Sequence, residues 1–395
     1  NGHAYGRLLR GELLGSPSCA GSGDIAPKTP ERGRGLFRYR TSPEGEEELG
    51  ALSSRSPAEG KRPPRKVPKE PFRVLHAPGL QDDFYLNCLS NSPADLLAVG
   101  LGRSVDLWSA RTERCTRLCD LGPRYGCASV AWSQDGALLA VGRHNGEVQV
   151  WDAAAGRQVR TYECHDRRRV GALAWNGHTL STGSRDHSIL QRDLRQPTQY
   201  YARLQGHSQE VCGLSWSPDG QQLASGGNEG YVCVWSAKSS STQPLHKFSE
   251  SEAAVRALAW SPHQRGLLAT GGGTADTCIR FWNMVTGSLV SSLPTYSQVC
   301  NLAWCKNVDE IVSTHGFSDN EIIIWRYPSM SRVATLSGHC RRALHLALSA
   351  DSRVVITGAG DETLRFWHAF PGQTRRHGGG FDLRSGPPSL GRTIR

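Results

Sequence analysis

Thr363-Leu364-Arg365-Phe366-Trp367 is an alternating strand closed by tryptophan, and near-copies of it recur six times upstream. The copies end at Trp108, Trp151, Arg192, Trp235, Trp282 and Trp325, so that the intervals on to Trp367 run 43, 41, 43, 47, 43 and 42 residues. Strict alternation sends one side of each segment into a core and the other outward. Repetition at 40–45 residues is the signature of small sheets stacked around an axis. Seven such units predict an all-β fold, a seven-bladed β-propeller.

The rest of each unit agrees. Six residues before the strand end stand Asp186, Asp276, Asp319 and Asp361, with Asn145 and Glu229 in the same slot. A tight turn needs such a residue to cap its own backbone. Gly206-His207 and Gly338-His339 form Gly-His pairs, and Cys164-His165 keeps the histidine. Together these are the marks of WD repeats, in which His, Asp and Trp form a hydrogen-bonded network inside the blade, because buried polar groups must be paired. A second ladder, Ala131-Trp132, Ala174-Trp175, Ser215-Trp216, Ala259-Trp260 and Ala303-Trp304, marks the innermost strands. It is read as core, not as a ligand box.

The repeats occupy residues 67–370 and leave an N-terminal arm, 1–66, and a tail, 371–395. The arm is rich in Gly, Pro, Ser and Arg and is expected to be disordered when alone. Within it Tyr5, Leu8, Leu9 and Leu13 fall at helical spacing and can form one apolar face on a partner. Thr29-Pro30, Ser42-Pro43 and Ser56-Pro57 fit proline-directed phosphorylation and fit chance in such a composition equally well. Residues Phe72 to Leu75 read as a short strand ahead of the first repeat. A propeller with no strand after Trp367 can close by taking that segment into its last blade, which removes an exposed edge.

The 12 cysteines are scattered singly, with no disulfide framework and no metal-binding spacing, so the thiols are read as reduced and the compartment as intracellular. No apolar run reaches membrane-spanning length, and the first residues lack a signal core. No cofactor or metal is expected. The net charge of +10 raises the question of nucleic acid. Its basic residues stand in short clusters, Lys61 to Lys66, Arg167 to Arg169 and Arg341-Arg342, without interleaved aromatic platforms, so neither nucleic acid nor membrane is expected as a partner. The first cluster reads either as a nuclear-import tract or as a solvated linker.

Several segments resemble one family in order along nearly the whole chain: Asp82-Asp83-Phe84-Tyr85-Leu86-Asn87, Trp151 to Gly156, Gln209 to Leu214, Trp260 to Gln264, Gly271 to Thr274 and Gly360 to Arg365. They are similar to the fizzy family, and within it to the fizzy-related branch, the coactivators of the anaphase-promoting complex. The resemblance implies a non-enzymatic substrate adaptor, acting in the nucleus and cytoplasm. Its implied partners are subunits of that ubiquitin ligase, degron-bearing cell-cycle proteins such as cyclins and mitotic regulators, and pseudosubstrate inhibitors.

Carried over by position, the resemblance places a KEN-box site on Asp83, Asn228, Thr274, Gln298 and Arg342. Asp83 would take the Lys, Arg342 the Glu, and the other three the Asn amide or the backbone. The family has a second Asn where this chain has Gly230. A destruction-box groove would fall on Leu75, His76 and Glu362, with His76 replacing an Asp of the family pattern and removing half of a carboxylate pair. Ligase docking is assigned to the terminal Ile394-Arg395 and to the arm segment bearing Leu8 and Leu9. Residues 1–14 resemble the stretch that follows the family's Asp-Arg-Tyr-Ile-Pro motif, so a chain opening on Asn1 reads as truncated. An enzyme built on the propeller finds no support: there is no H-E-x-x-H, G-x-S-x-G or P-loop, and Gly271 to Gly273 precede a strand rather than a helix. A WD-repeat scaffold without ligase docking is the remaining alternative.

Overall fold

The computed structural model describes residues 65–196, 200–238 and 242–372. Leu8, Leu9, the Ser/Thr-Pro dipeptides and Ile394-Arg395 lie outside the described residues. Seven four-stranded antiparallel sheets follow one another around an axis, six of them with their first strand innermost. Blades 1 to 6 comprise residues 89–120, 127–163, 172–205, 211–248, 255–294 and 299–336. Blade 7 takes three strands from 345–368 and its outer strand, β1 (Arg73–His76), from ahead of blade 1.

That closure is the one expected, displaced by a residue. β1 pairs with Thr363–His368 in the register Arg73↔Phe366 to His76↔Thr363, and Phe72 extends it through an N–H to the Phe366 carbonyl at 3.0 Å. Phe72 stacks on His368 at 4.0 Å between ring centroids, and Leu75 packs into the core shared by blades 7, 1 and 2. The last strand therefore presents no free ladder of backbone donors. Ahead of β1, Arg65 already sits on the propeller, 2.8 Å from the Glu310 carboxylate.

The recurring polar residues do what the repeat pattern predicts. In blade 4 His207 joins Glu229 at 2.6 Å and Ser225 at 2.7 Å, and the Trp235 indole donates to the same hydroxyl at 2.8 Å. In blade 7 His339, Asp361, Thr357 and Trp367 repeat the arrangement. Asp361 also caps its turn through the Thr363 N–H at 3.1 Å. Blade 3 has His165, Asp186 and Thr182 but Arg192 where the indole would be, and the buried guanidinium lies over Tyr162 at 5.0 Å instead.

The inner tryptophan ladder stitches neighbouring blades. Trp175, Trp260 and Trp304 donate to the carbonyls of Ala131, Ser215 and Ala259 in the preceding blade, at 2.9, 3.0 and 3.1 Å. Each indole is core with one polar handle satisfied. Among the described residues the cysteines are free thiols, no group of acidic, His and Cys side chains could hold a metal ion, and no helix is long and apolar enough to cross a membrane.

Candidate functional site

Four innermost strands begin with a β-bulge, between Cys127 and Ser129, Val211 and Gly213, Val255 and Ala257, and Val299 and Asn301. A bulge leaves its extra residue out of the ladder. Here those residues are Ala128, Cys212, Arg256 and Cys300, and they serve the connection from β1 to blade 1. The Asn87 N–H donates to Ala128 O at 3.0 Å, and its side-chain amide donates to Cys212 O at 3.2 Å and Gly171 O at 2.6 Å. Residues 82–87 are thereby strapped across the mouth of the central channel.

Arg256 fastens the strap from below. Its guanidinium donates to Leu86 O at 2.6 Å, Asn87 Oδ1 at 3.1 Å, Cys300 O at 3.1 Å and Leu344 O at 2.6 Å. Only 4% of the residue is exposed, and burial pulls its pKa below the usual value. An arginine stays cationic even so, with carbonyl dipoles in place of water. One side chain thus ties the strap to blades 5, 6 and 7.

On the strap, Asp82 and Asp83 point their bonds to opposite sides of the channel. Asp82 accepts from Arg342 Nε at 2.9 Å, and its carbonyl takes Arg342 Nη2 at 2.9 Å. Asp83 accepts from Arg169 Nη1 at 3.0 Å and from the Tyr85 N–H at 2.9 Å. Glu210 grips the other edge of Arg169 at 2.5 and 2.9 Å. Burial opposes the Arg169 charge, but Glu210 and Asp83 outweigh it and hold the pKa above the ordinary value. Two carboxylates on one guanidinium leave this trio with one net negative charge.

Asn228 belongs to the same cluster: Tyr85 Oη donates to its amide oxygen at 2.7 Å, and its Nδ2 donates to Gln209 at 2.6 Å. Tyr85 is pushed up in pKa, chiefly by burial. Gln298 is buried across the channel, flanking Gly316 together with Arg342: a Cβ on that glycine would meet Gln298 Oε1 at 2.7 Å and Arg342 Cδ at 3.4 Å. Thr274 is exposed on the turn of blade 5 and makes no side-chain bond among the described residues. Of the predicted KEN-box residues, Asp83 and Asn228 are therefore linked through Tyr85, Arg342 is bonded to the neighbouring Asp82, Gln298 shares the Gly316 neighbourhood with Arg342, and Thr274 stands exposed on its own turn. Gly230 has a structural reason: φ is +87° and a Cβ there would lie 2.3 Å from Ser251 O. An asparagine at that position would need this loop to move.

The residues predicted for the destruction-box groove, Leu75, His76 and Glu362, come together at the seam between blades 7 and 1. Leu75 and His76 end β1, half-buried and exposed respectively, opposite Leu364 and Thr363. Glu362 bonds the chain leaving β1 twice, through its carbonyl to the Ala77 N–H at 2.8 Å and through Oε1 to the Gly79 N–H at 3.0 Å. Above it opens a pocket of about 550 Å³ lined by Gly79, Asp82, Arg103, Arg124, His144 and Glu362. Burial, then the nearby Arg169, lowers the His144 pKa.

Sequence reasoning missed Arg169, Glu210, Tyr85 and Arg256. Arg169 and Arg256 stand at unremarkable places in their repeats, and only the strap brings them to the site. The signal that existed was Asp82 to Asn87 itself, a polar and aromatic hexapeptide between a strand and the first repeat.

Residues 75–367 match the family model for the CDC20/Fizzy WD40 domain. The chain is 50% identical to the B-type cell cycle switch protein ccs52A of Medicago truncatula, over 99% of this chain and 83% of that protein. It is 50% identical to Protein FIZZY-RELATED 2 of Arabidopsis thaliana, over 99% of this chain and 80% of the relative. The Anaphase-promoting complex subunit cdh1 of Dictyostelium discoideum is 47% identical over 79% of this chain and 45% of its own length. Among solved structures, a chain of the crystal structure of the mitotic checkpoint complex superposes with a TM-score of 0.76 at 43% identity, covering 82% of this chain and 99% of that one.

Proposed function

The chain belongs to the CDC20/Fizzy family, and from that premise we propose that it is a substrate-recognition coactivator of the anaphase-promoting complex. It binds KEN-box and destruction-box degrons on the propeller and so promotes ubiquitin-dependent degradation of cell-cycle proteins. Its partners are the ligase subunits, degron-bearing substrates such as cyclins and mitotic regulators, and pseudosubstrate inhibitors, in the nucleus and cytoplasm. It performs no covalent step; the ligase supplies the chemistry.

The observation that carries this reading is the pairing on the strap, Asp83 with Arg169 and Asp82 with Arg342. A KEN Lys approaches the trio of Asp83, Arg169 and Glu210, whose net negative charge is open to it. The KEN Glu approaches Arg342, which has two of its three nitrogens held by Asp82. Gln298 and Thr274 offer groups to the Asn, while the amide of Asn228 is already engaged and serves as a fixed wall. At the seam, Leu75 provides apolar surface for the destruction-box Leu and Glu362 a carboxylate for its Arg. The KEN site exchanges bonds it already has and the seam offers only a small apolar surface, so each degron gains little net free energy and two degrons act best together.

The test is titration of the chain with fluorescent KEN-box and destruction-box peptides, together with the ligase-activation assay. Both peptides bind at micromolar concentration, and activation requires Ile394-Arg395. Failure of both peptides to bind at high micromolar concentration would overturn the adaptor reading.

A further inference from the structure

Beside the predicted KEN-box residues, a pocket of about 530 Å³ is lined by Tyr85, Gln209, Glu210 and Asn228 on one side and by Arg168, Arg169, Arg185, Asp186 and His187 on the other. Its carboxylates are already committed. Glu210 holds Arg169 through both oxygens. Asp186 turns inward to His165 at 2.9 Å and to the N–H and hydroxyl of Ser188 at 2.9 and 2.8 Å. Arg168 and Arg185 are exposed and have no ion-pair or hydrogen-bond partner for their side chains among the described residues.

Their backbones are fixed. The Arg185 N–H donates to Arg169 O at 3.0 Å, and the Ser184 hydroxyl donates to Arg168 O at 3.2 Å and Arg169 O at 2.7 Å. The Arg168 N–H returns to His165 O. The connection from blade 2 into blade 3 and the second turn of blade 3 are thus bonded back to back, each presenting one unpaired guanidinium to the same cavity. Solvent-exposed arginines are common, but two on a rigid, cross-bonded frame, facing a pocket that also holds a degron-reading residue, form a preorganised anion site.

We propose that Arg168 and Arg185 bind a phosphorylated serine or threonine that flanks the KEN motif in the substrate peptide. Two forked guanidiniums match the charge and the three acceptor oxygens of a phosphate dianion better than a single carboxylate. The Lys of the motif, drawn to the trio with Asp83, would lie next to this anion, so the rim selects a peptide carrying a cation and a phosphate close together. Degron affinity then rises when a substrate is phosphorylated beside its KEN box. The inference rests on the KEN-box reading of the rim.

The test uses the full chain and a set of KEN peptides, each carrying one phosphoserine at a position within four residues of the motif on either flank. Fluorescence anisotropy is measured beside the unphosphorylated and Glu-substituted peptides. At one position the phosphate tightens binding on the order of tenfold, and the gain shrinks as salt rises. The variant carrying both Arg168→Ala and Arg185→Ala loses that gain and keeps the affinity for the plain peptide within about twofold. Because both residues are exposed, a thermal melt matching the wild type establishes that the variant is folded. No gain at any position, or a gain that survives the double substitution, overturns the phosphate site while leaving the KEN reading intact. A Glu peptide that binds as tightly as the phosphopeptide overturns the assignment to phosphate. Failure of the plain peptide to bind overturns the KEN reading itself.

Discussion

The channel mouth and the blade 7–blade 1 seam are built by opposite means. At the mouth, polar side chains from blades 2, 3, 4 and 7 are bonded to one another and to a strap, so that Asp83 and Asn228 are satisfied before any ligand arrives. At the seam, a borrowed strand leaves Val74 48% exposed and Leu75 half-buried beside the carboxylate of Glu362. On the proposed assignment, binding at the mouth would replace internal hydrogen bonds with intermolecular ones, for a small net change but strict geometry. Binding at the seam would instead cover apolar surface that water now touches, at roughly 25 cal/mol per Å². The mouth is suited to discrimination and the seam to adhesion.

Removal of residues 65–76 is the harshest test of that contrast. It takes away β1, re-exposes the edge of the last strand and costs on the order of 4–5 kcal/mol. Destruction-box binding should vanish; its survival would place the groove elsewhere. Next in size is Arg256→Met, which strands the carbonyls of Leu86, Cys300 and Leu344 and costs about 3–5 kcal/mol. In the folded fraction, KEN affinity should fall at least tenfold and destruction-box affinity less than threefold. Equal losses would mean that the two sites share one frame.

Acid should loosen the blades under the mouth first. Burial lowers the pKa of His345 to about 3 and of His315 to about 4. Both fold in the neutral form, whereas the unfolded chain takes up protons near pH 6.5. Their stabilisation is therefore complete above about pH 6.5 and is lost as pH falls toward 4, on the order of 2 kcal/mol each. Below that, the lowered carboxylates of Asp186, Glu229 and Asp361 add their own losses. Differential scanning calorimetry should show a melting temperature that declines between pH 6.5 and 4; a flat profile would mean that both imidazoles find partners or water.

Smaller effects separate the sites residue by residue. Asp83→Ala should weaken the KEN peptide about tenfold and Glu362→Ala the destruction-box peptide about tenfold, each with less than a twofold effect on the other. Cross-talk in isothermal titration would blur the division. His76→Asp, which supplies a second carboxylate at the seam, should tighten the destruction-box peptide about threefold and leave the KEN peptide unchanged.

The number of blades, the turn residues, the inner tryptophan ladder and the closing strand could all be read from the chain, because each depends on local alternation and on a period that repeats. Phe72 to Leu75 lay within one residue of β1 for that reason. The identity of Asp83, Asn228, Gln298, Arg342 and Glu362 as candidates came from resemblance, and their neighbours did not. Arg169 lies 86 residues from Asp83, and Arg256 lies 170 from Leu86. Nothing in a repeat marks these pairs, since each is made by the strap meeting a different part of the closed ring, Arg169 in the connection into blade 3 and Arg256 in the bulge that opens blade 5. Local pattern determined the blades; closure of the ring decided which charges meet at the mouth of the channel.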